Sequence, residues 1–274
     1  MSNVKNVFLA LGALVALATA TPSYAQSSCQ SSAFPAWLEQ VKAEAASKGI
    51  SQRAISAALD NVTFDPGIVR HDRGQKVFKQ SFEQFSGRMV NSYRLSKGAN
   101  LLKQYAGLFQ RIETQFGVSG PILVAIWGLE TDFGSFNGSF PTIQALATLA
   151  YDCRRSAMFR EELFDALRIV ARGDMQPAEM KGAWAGEIGQ TQFMPSSYMK
   201  FAVDFDGDGR RDLVRSVPDV LASTANFLKN YGWQRGAGWE PGQPNFAAIK
   251  EWNKSDVYSR TIAYFATRLA NGSK

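Results

Sequence analysis

Glu130 is the side chain best suited to move a proton. It closes the run Pro121-Ile-Leu-Val-Ala-Ile-Trp-Gly-Leu-Glu130, and counting back by three and four puts Trp127, Ile126 and Leu123 on its face of a helix. An acid on that face points inward, where desolvation favours the neutral carboxyl and makes a general acid for near-neutral pH. The plain alternative is a carboxyl swung out to solvent at a helix end, a place where the helix dipole opposes an anion. Asp132 lies about 200° further round a helix and is poorly placed to share a substrate with Glu130. No second carboxylate stands at an evident spacing. Two-carboxylate glycoside chemistry needs a pair, so a lone buried glutamate points to a substrate that supplies its own nucleophile. Were water the acceptor, a second base would be sought on the loop from Gly186 to Gln192, with Glu187 first.

A second group of acids lies in Asp204-Phe-Asp206-Gly-Asp208-Gly209-Arg-Arg-Asp212. Carboxylates alternate and glycine takes the sixth place, as in an EF-hand loop. Arg210, at the seventh place, would offer its main-chain carbonyl, and Asp212, at the ninth, a direct or water-mediated contact. The twelfth place should hold a bidentate glutamate and holds Arg215, so a metal-free turn is the competing reading. An all-oxygen set suits calcium or another hard cation and excludes zinc. The single histidine, His71, sits between Arg70 and Asp72 and reads as solvated, which leaves no easy Ser-His-Asp triad.

The elements that must position these groups are helical almost throughout. Helices are expected over 36–47, from an N-cap at Ser51 to about Asp60, over 75–93 and over 101–116, and from Ser119-Gly-Pro121 onward. Others are expected over 141–150, 157–171, from Ser216 to Tyr231, and over 257–269. Residues 173–209 turn rich in Gly, Gln, Met, Ser and Asp, which reads as a long irregular insert, and 236–244 reads as a loop.

At the N-terminus, Lys5, an uncharged run of 14 residues from Val7 to Ala20 and the small-x-small site Ser23-Tyr24-Ala25 form a secretory signal peptide over residues 1–25. The run is too short to span a membrane as a helix. Cys29 follows Gln-Ser-Ser, which is no lipoprotein signal. Export makes Cys29 and Cys153, the only two cysteines, a candidate disulfide. A net charge of +6 and a pI near 9.3 suit an anionic partner, and outside the cytoplasm wall polymer or membrane surface is a better candidate than nucleic acid.

Trp127-Gly-Leu-Glu130-Thr-Asp-Phe-Gly134, followed by Lys181-Gly-Ala-Trp-Ala-Gly-Glu-Ile-Gly-Gln-Thr-Gln192-Phe-Met-Pro-Ser-Ser-Tyr198, resembles the lytic murein transglycosylase B family. The likeness runs from about Phe34 to Leu269 and takes in Cys153-Arg154-Arg155 and the Asp204 loop. It implies an all-α, lysozyme-like catalytic core with additional helices, occupying 26–274 as one domain that includes the EF-hand-like loop at 204–219. It also implies cleavage of the MurNAc-GlcNAc bond of peptidoglycan with release of 1,6-anhydromuramoyl ends, Glu130 acting as both acid and base. By the same resemblance Arg154 and Arg155 match an arginine pair near the cleft and Gln192 a polar neighbour of the catalytic carboxyl, while Asn253 and Tyr258 line the saccharide site. Trp252, Phe227 and Phe85 fall where relatives can have tyrosines, keeping a ring and losing a hydroxyl. Asp219 is the later acid that would close the cation loop.

The chemistry is expected to need no cofactor, with calcium as a structural ion only. Peptidoglycan glycan strands are the expected partner of a monomeric periplasmic protein with no nucleic acid and no stable membrane anchor. The rivals are a catalytically silent wall-binding or scaffolding module, which an intact Glu130 disfavours, and a muramidase using water, which lacks an evident second base.

Overall fold

A computed structural model describes residues 31–74 and 80–272. The signal-peptide segment, Cys29 and part of the helix expected over 75–93 lie outside the described residues.

After a 3-10 turn at Ser31–Ala33, α1 (Phe34–Ser47) buries Phe34, Leu38, Val41 and Ala45, a stripe at helical spacing. Ser51 caps α2 (Gln52–Leu59) by accepting from the Ala54 amide at 3.3 Å. The helix α3 (Pro66–Arg73) was not legible in the sequence, although Asp65 accepts from Gly67 N at 2.7 Å and Pro66 opens the first turn.

Two expected helices are each divided. The first yields α4 (Phe82–Met89), started by a Ser81/Gln84 capping box, and α5 (Ser92–Gln104), started by Asn91. The cap at Asn91 competes with continuation, because its side chain accepts from Arg94 N at 3.0 Å. The second breaks at Tyr105, which leaves helical geometry at φ −104°, ψ 23° and separates α5 from α6 (Ala106–Phe116). Gly117, at φ 77°, turns the chain into α7 (Gly120–Thr131), the helix that carries Glu130 in its last turn.

β1 (Phe140–Pro141) then leads into α8 (Thr142–Tyr151) and α9 (Ser156–Arg172). The expected irregular insert contains β2 (Lys181–Gly182), antiparallel to β1 with Phe140 opposite Gly182, and a short α10 (Pro195–Phe201). The chain closes with α11 (Val217–Asn230), α12 (Phe246–Trp252) and α13 (Asp256–Ala270). Neither α10 nor α12 was anticipated: at 7 residues each they are too short to show helical periodicity.

α7 is apolar on every side, and it is buried along nearly its whole length against α5, α6, α11 and α13. Leu123 and Ile126 are fully buried, so truncating either to alanine should cost about 2–5 kcal/mol. Around it α8 packs on α9, and α13 also covers α4. No single described helix is long and apolar enough to cross a membrane; α6 and α7 pass together only as a pair bent by 108°.

Candidate active site

The end of α7 presents Glu130 to a cavity of about 410 Å³, and the side chains around it come from the insert, α11 and the α12–α13 turn. Glu187, Gln192, Phe227, Trp252 and Asn253 share that cavity with Glu130. Trp252 Nε1 donates to Glu130 Oε1 at 2.9 Å, and the Tyr258 phenol also hydrogen-bonds the carboxyl. The Glu130 carboxyl is pushed from 4.5 up to about 7, chiefly by burial; the Trp252 and Tyr258 donors oppose the rise and the neighbouring Glu187 adds to it. The Tyr258 phenol is itself held well above its ordinary value by burial and by Glu130, so it stays a proton donor across the working range.

The apolar face read from the sequence is therefore real, and the helix places its only carboxylate at the mouth of the core. Asp132 points elsewhere. It adopts the left-handed conformation at φ 52°, and its carboxylate pairs with Arg94 at 3.2 Å. Lys97 donates to its carbonyl at 3.2 Å.

The expectation of no second carboxylate is corrected by Glu187. Spacing along one helix could not reveal it, because the residue arrives from a loop 57 positions later in the chain. The sequence reading also missed Gln190. Its Oε1 accepts from Trp127 Nε1 at 2.8 Å, its Nε2 donates to Val214 O at 2.9 Å, and its carbonyl accepts from Thr131 Oγ1 at 2.5 Å. One buried amide thus ties α7 to the insert and to the segment before α11. A glutamine among Gly and Thr carries no pattern that separates such a brace from a surface polar residue.

Gln192 lines the cavity, but its amide serves the walls. Oε1 accepts from Ala183 N at 3.1 Å, and Nε2 donates to Asn137 O at 3.1 Å and Gly189 O at 2.7 Å. Its φ of 53° is unusual for a non-glycine residue and marks a position held by its surroundings. Phe227, 7% exposed, packs its ring 5.0 Å from Trp252 and 4.6 Å from Tyr231, forming the aromatic side of the cavity. Phe85, 5% exposed, lies behind Tyr258 with ring centroids 5.9 Å apart and backs the phenol.

Arg154 and Arg155 do not line this cavity. Both grip Asp72 of α3, which is 1% exposed: Arg154 binds it through Nε at 2.7 Å and Nη2 at 2.6 Å, and Arg155 adds a further contact. Burial alone would raise the Asp72 carboxyl, but the two guanidiniums more than offset it and hold it low. His71, beside it, is exposed as expected.

In the acidic loop, carboxylate oxygens of Asp204, Asp206 and Asp219 lie within 4.8 Å of one another. Three hard oxygen donors fit a calcium-like cation. Asp208 and Asp212 are not in this cluster; Asp208 accepts from Arg210 N at 2.8 Å and Asp212 from Val214 N and Arg215 N at 2.9 Å. The clustered acids hold the turn in the same way, Asp204 accepting from Gly207 N at 2.7 Å and Asp219 from Phe205 N at 2.7 Å. Arg215 turns away to Glu179 at 2.7 Å.

The transglycosylase SLT domain family matches residues 33–243. Membrane-bound lytic murein transglycosylase B of Escherichia coli (strain K12) is 34% identical over 170 residues, which is 59% of this chain and 47% of that protein, so the match spans about half of the curated relative. Among solved structures, SltB3 from Pseudomonas aeruginosa in complex with NAG-NAM-pentapeptide superposes with a TM-score of 0.84 at 30% identity, covering 88% of this chain and 80% of that one. The Escherichia coli lytic transglycosylase Slt35 in complex with calcium gives 0.76 at 25% identity over 85% of this chain and 92% of that one. With the helical core, the cleft glutamate and a family match across most of its length, the chain belongs to the transglycosylase SLT domain family.

Proposed function

We propose that this chain is a lytic transglycosylase that cleaves the MurNAc-GlcNAc β-1,4 bond of peptidoglycan and leaves 1,6-anhydromuramoyl ends. The observation that carries this reading is a half-buried Glu130 at the end of a buried helix, its carboxyl pushed up to about 7 by desolvation, with Trp252 and Tyr258 donating to it. Such a group is protonated often enough to act as an acid and basic enough to take a proton back. In the first step Glu130 gives its proton to the glycosidic oxygen, the C1–O bond breaks, and positive charge develops at C1. In the second, the Glu130 carboxylate removes the proton of the muramoyl 6-hydroxyl as that oxygen bonds to C1. The acid is regenerated and no water is consumed. The names of the similar proteins support the substrate class.

In this scheme Trp252 and Phe227 give the sugar an aromatic wall, Asn253 offers it a polar contact, and Gln192 keeps the cleft loops in register. Arg154 and Arg155, each still partly exposed beside Asp72, would meet acidic peptide stems or lactyl carboxylates at a distance from the reacting bond. A muramidase using water is the second reading, favoured by one observation, the presence of Glu187 in the cavity. A silent wall-binding module is disfavoured by the perturbed Glu130.

The finer features follow from the sequence. Residues 1–25 would direct export to the periplasm, where Cys29 and Cys153 would pair. Calcium, held by Asp204, Asp206 and Asp219, would be structural and would take no part in the chemistry.

Glu130→Gln tests the assignment, since the amide keeps the shape but can neither give nor take the proton. Folded protein with less than about a tenth of wild-type wall-lytic activity is the expected result. Activity above that level would remove Glu130 from the mechanism.

A further inference from the structure

Glu187 brings a second carboxyl to a place where structure alone has little use for one, and burial holds it above its ordinary value against the pull of main-chain amides. Its main chain is clamped: the carbonyl accepts from Thr142 Oγ1 at 3.0 Å and presses on Gly182, where an added Cβ would come within 1.8 Å of that oxygen. Gly186 before it takes φ 90°, a conformation that glycine adopts without penalty. The side chain is fixed too, because Oε2 accepts from the Ala185 amide at 3.0 Å. Its hydrogen bonds come from main-chain amides, and among the described residues no lysine or arginine pairs with it. A half-buried carboxylate without a cation costs desolvation energy that a neutral residue would avoid. It nevertheless lines the same cavity as Glu130.

We propose that Glu187 is a positioning residue of this reaction, a second carboxyl in the cavity of Glu130 whose charge governs when Glu130 holds its proton and so when the cleft can cleave. The inference rests on the reading of Glu130 as acid and base. The other titratable or charged groups around Glu130 are the Tyr258 phenol on α13, Glu251 and Lys254 at the cavity rim, and Arg94 from α5, which is committed to Asp132. Compared with these, Glu187 is the carboxylate that raises Glu130, a smaller influence than burial and opposed by Trp252 and Tyr258. Two like charges in one desolvated space cannot both form freely, so the presence of one keeps the other neutral to higher pH. Removing the Glu187 charge should therefore let Glu130 ionise earlier and lose its acid function at lower pH.

The experiment is the pH profile of kcat on purified sacculi for wild type, Glu187→Gln and Glu187→Asp. In Glu187→Gln the alkaline limb should move to lower pH, so that with each enzyme normalised to its own optimum the variant's rate near pH 8 is about two- to ten-fold below that of wild type, while KM changes little. Glu187→Asp, which keeps the charge, should bring the limb back towards wild type. A folded Glu187→Gln whose alkaline limb does not move overturns the proposal, as does a rise in KM with an unmoved limb. A measurement on the wild-type protein covers the case in which Glu187→Gln does not fold: in carbon-13 NMR of glutamate carboxyls, the titration curve of Glu130 should carry a second inflection that coincides with that of Glu187. Independent single-step curves would overturn the coupling. If instead Glu130→Gln remains active, it is the underlying reading of Glu130 that fails.

Discussion

The indole Nε1 of Trp252 donates to Oε1 of Glu130 at 2.9 Å, across 122 positions of sequence. The ring thus meets the acid with an N–H, a donor that an aromatic residue without a polar atom would lack. The indole also packs against Phe193 and Phe227, at 5.4 and 5.0 Å, so its donor is aimed by aromatic packing on its other faces.

Trp252→Phe keeps a ring there and removes the donor. The hydrogen bond favours the charged carboxylate, so its loss should raise Glu130 further and move the alkaline limb of activity to higher pH, opposite to the change expected for Glu187→Gln. The maximal rate should fall about ten-fold because the carboxyl is less well aimed. Initial rates across the neutral and alkaline range check both, and an unchanged profile would show that the contact has no part in tuning the acid.

Glu130 should also cost the fold stability above neutral pH. Its folded value, about 7, lies above the unfolded 4.5, so the contribution of the neutral form is fully present below 4.5 and is lost as pH rises through 7. Glutamine cannot ionise and escapes that loss. Glu130→Gln and wild type should therefore unfold alike near about pH 4, and the variant should be the more stable near about pH 8, by on the order of 3 kcal/mol. Melting temperatures at the two pH values check this, and a gap that does not widen with pH would mean that Glu130 is not desolvated.

The helical class and Glu130 were legible because each has a local signature: helical periodicity for the one, an acid at i, i+3 and i+4 from apolar residues for the other. The helix α7 was legible only as one apolar face, though it is buried all round. Gln190 was not legible in its role, and Glu187 only as the first residue to test for a second base, because both lie in a turn-rich segment and meet residues brought in from other elements. The division at Asn91 was missed for a similar reason, since one capping side chain outweighs a periodic pattern that runs past it. Arg154 and Arg155 were placed near the cleft by resemblance, and their partner Asp72 is more than 80 positions away.

Calcium should raise the melting temperature, since an ion bound by the folded loop stabilises it by linkage. Asp206→Ala should abolish the rise, whereas Asp208→Ala should leave most of it, because only Asp206 contributes to the cluster with Asp204 and Asp219. Differential scanning calorimetry with calcium and with a chelator separates the two variants. Identical melting curves for wild type in both buffers would identify the loop as a turn held by its own amides.

The nature of the new chain end tests the account most directly. Attack by the muramoyl 6-hydroxyl leaves a 1,6-anhydro ring with no reducing end, one water lighter than the hydrolysed species, whereas attack by water leaves a reducing sugar. Sacculi digested to completion, treated with borohydride and weighed by mass spectrometry should give anhydro-ended muropeptides that have taken up no hydrogen. A majority of fragments heavier by two hydrogens at the new end would show that water is the acceptor, with Glu187 the carboxylate placed to activate it.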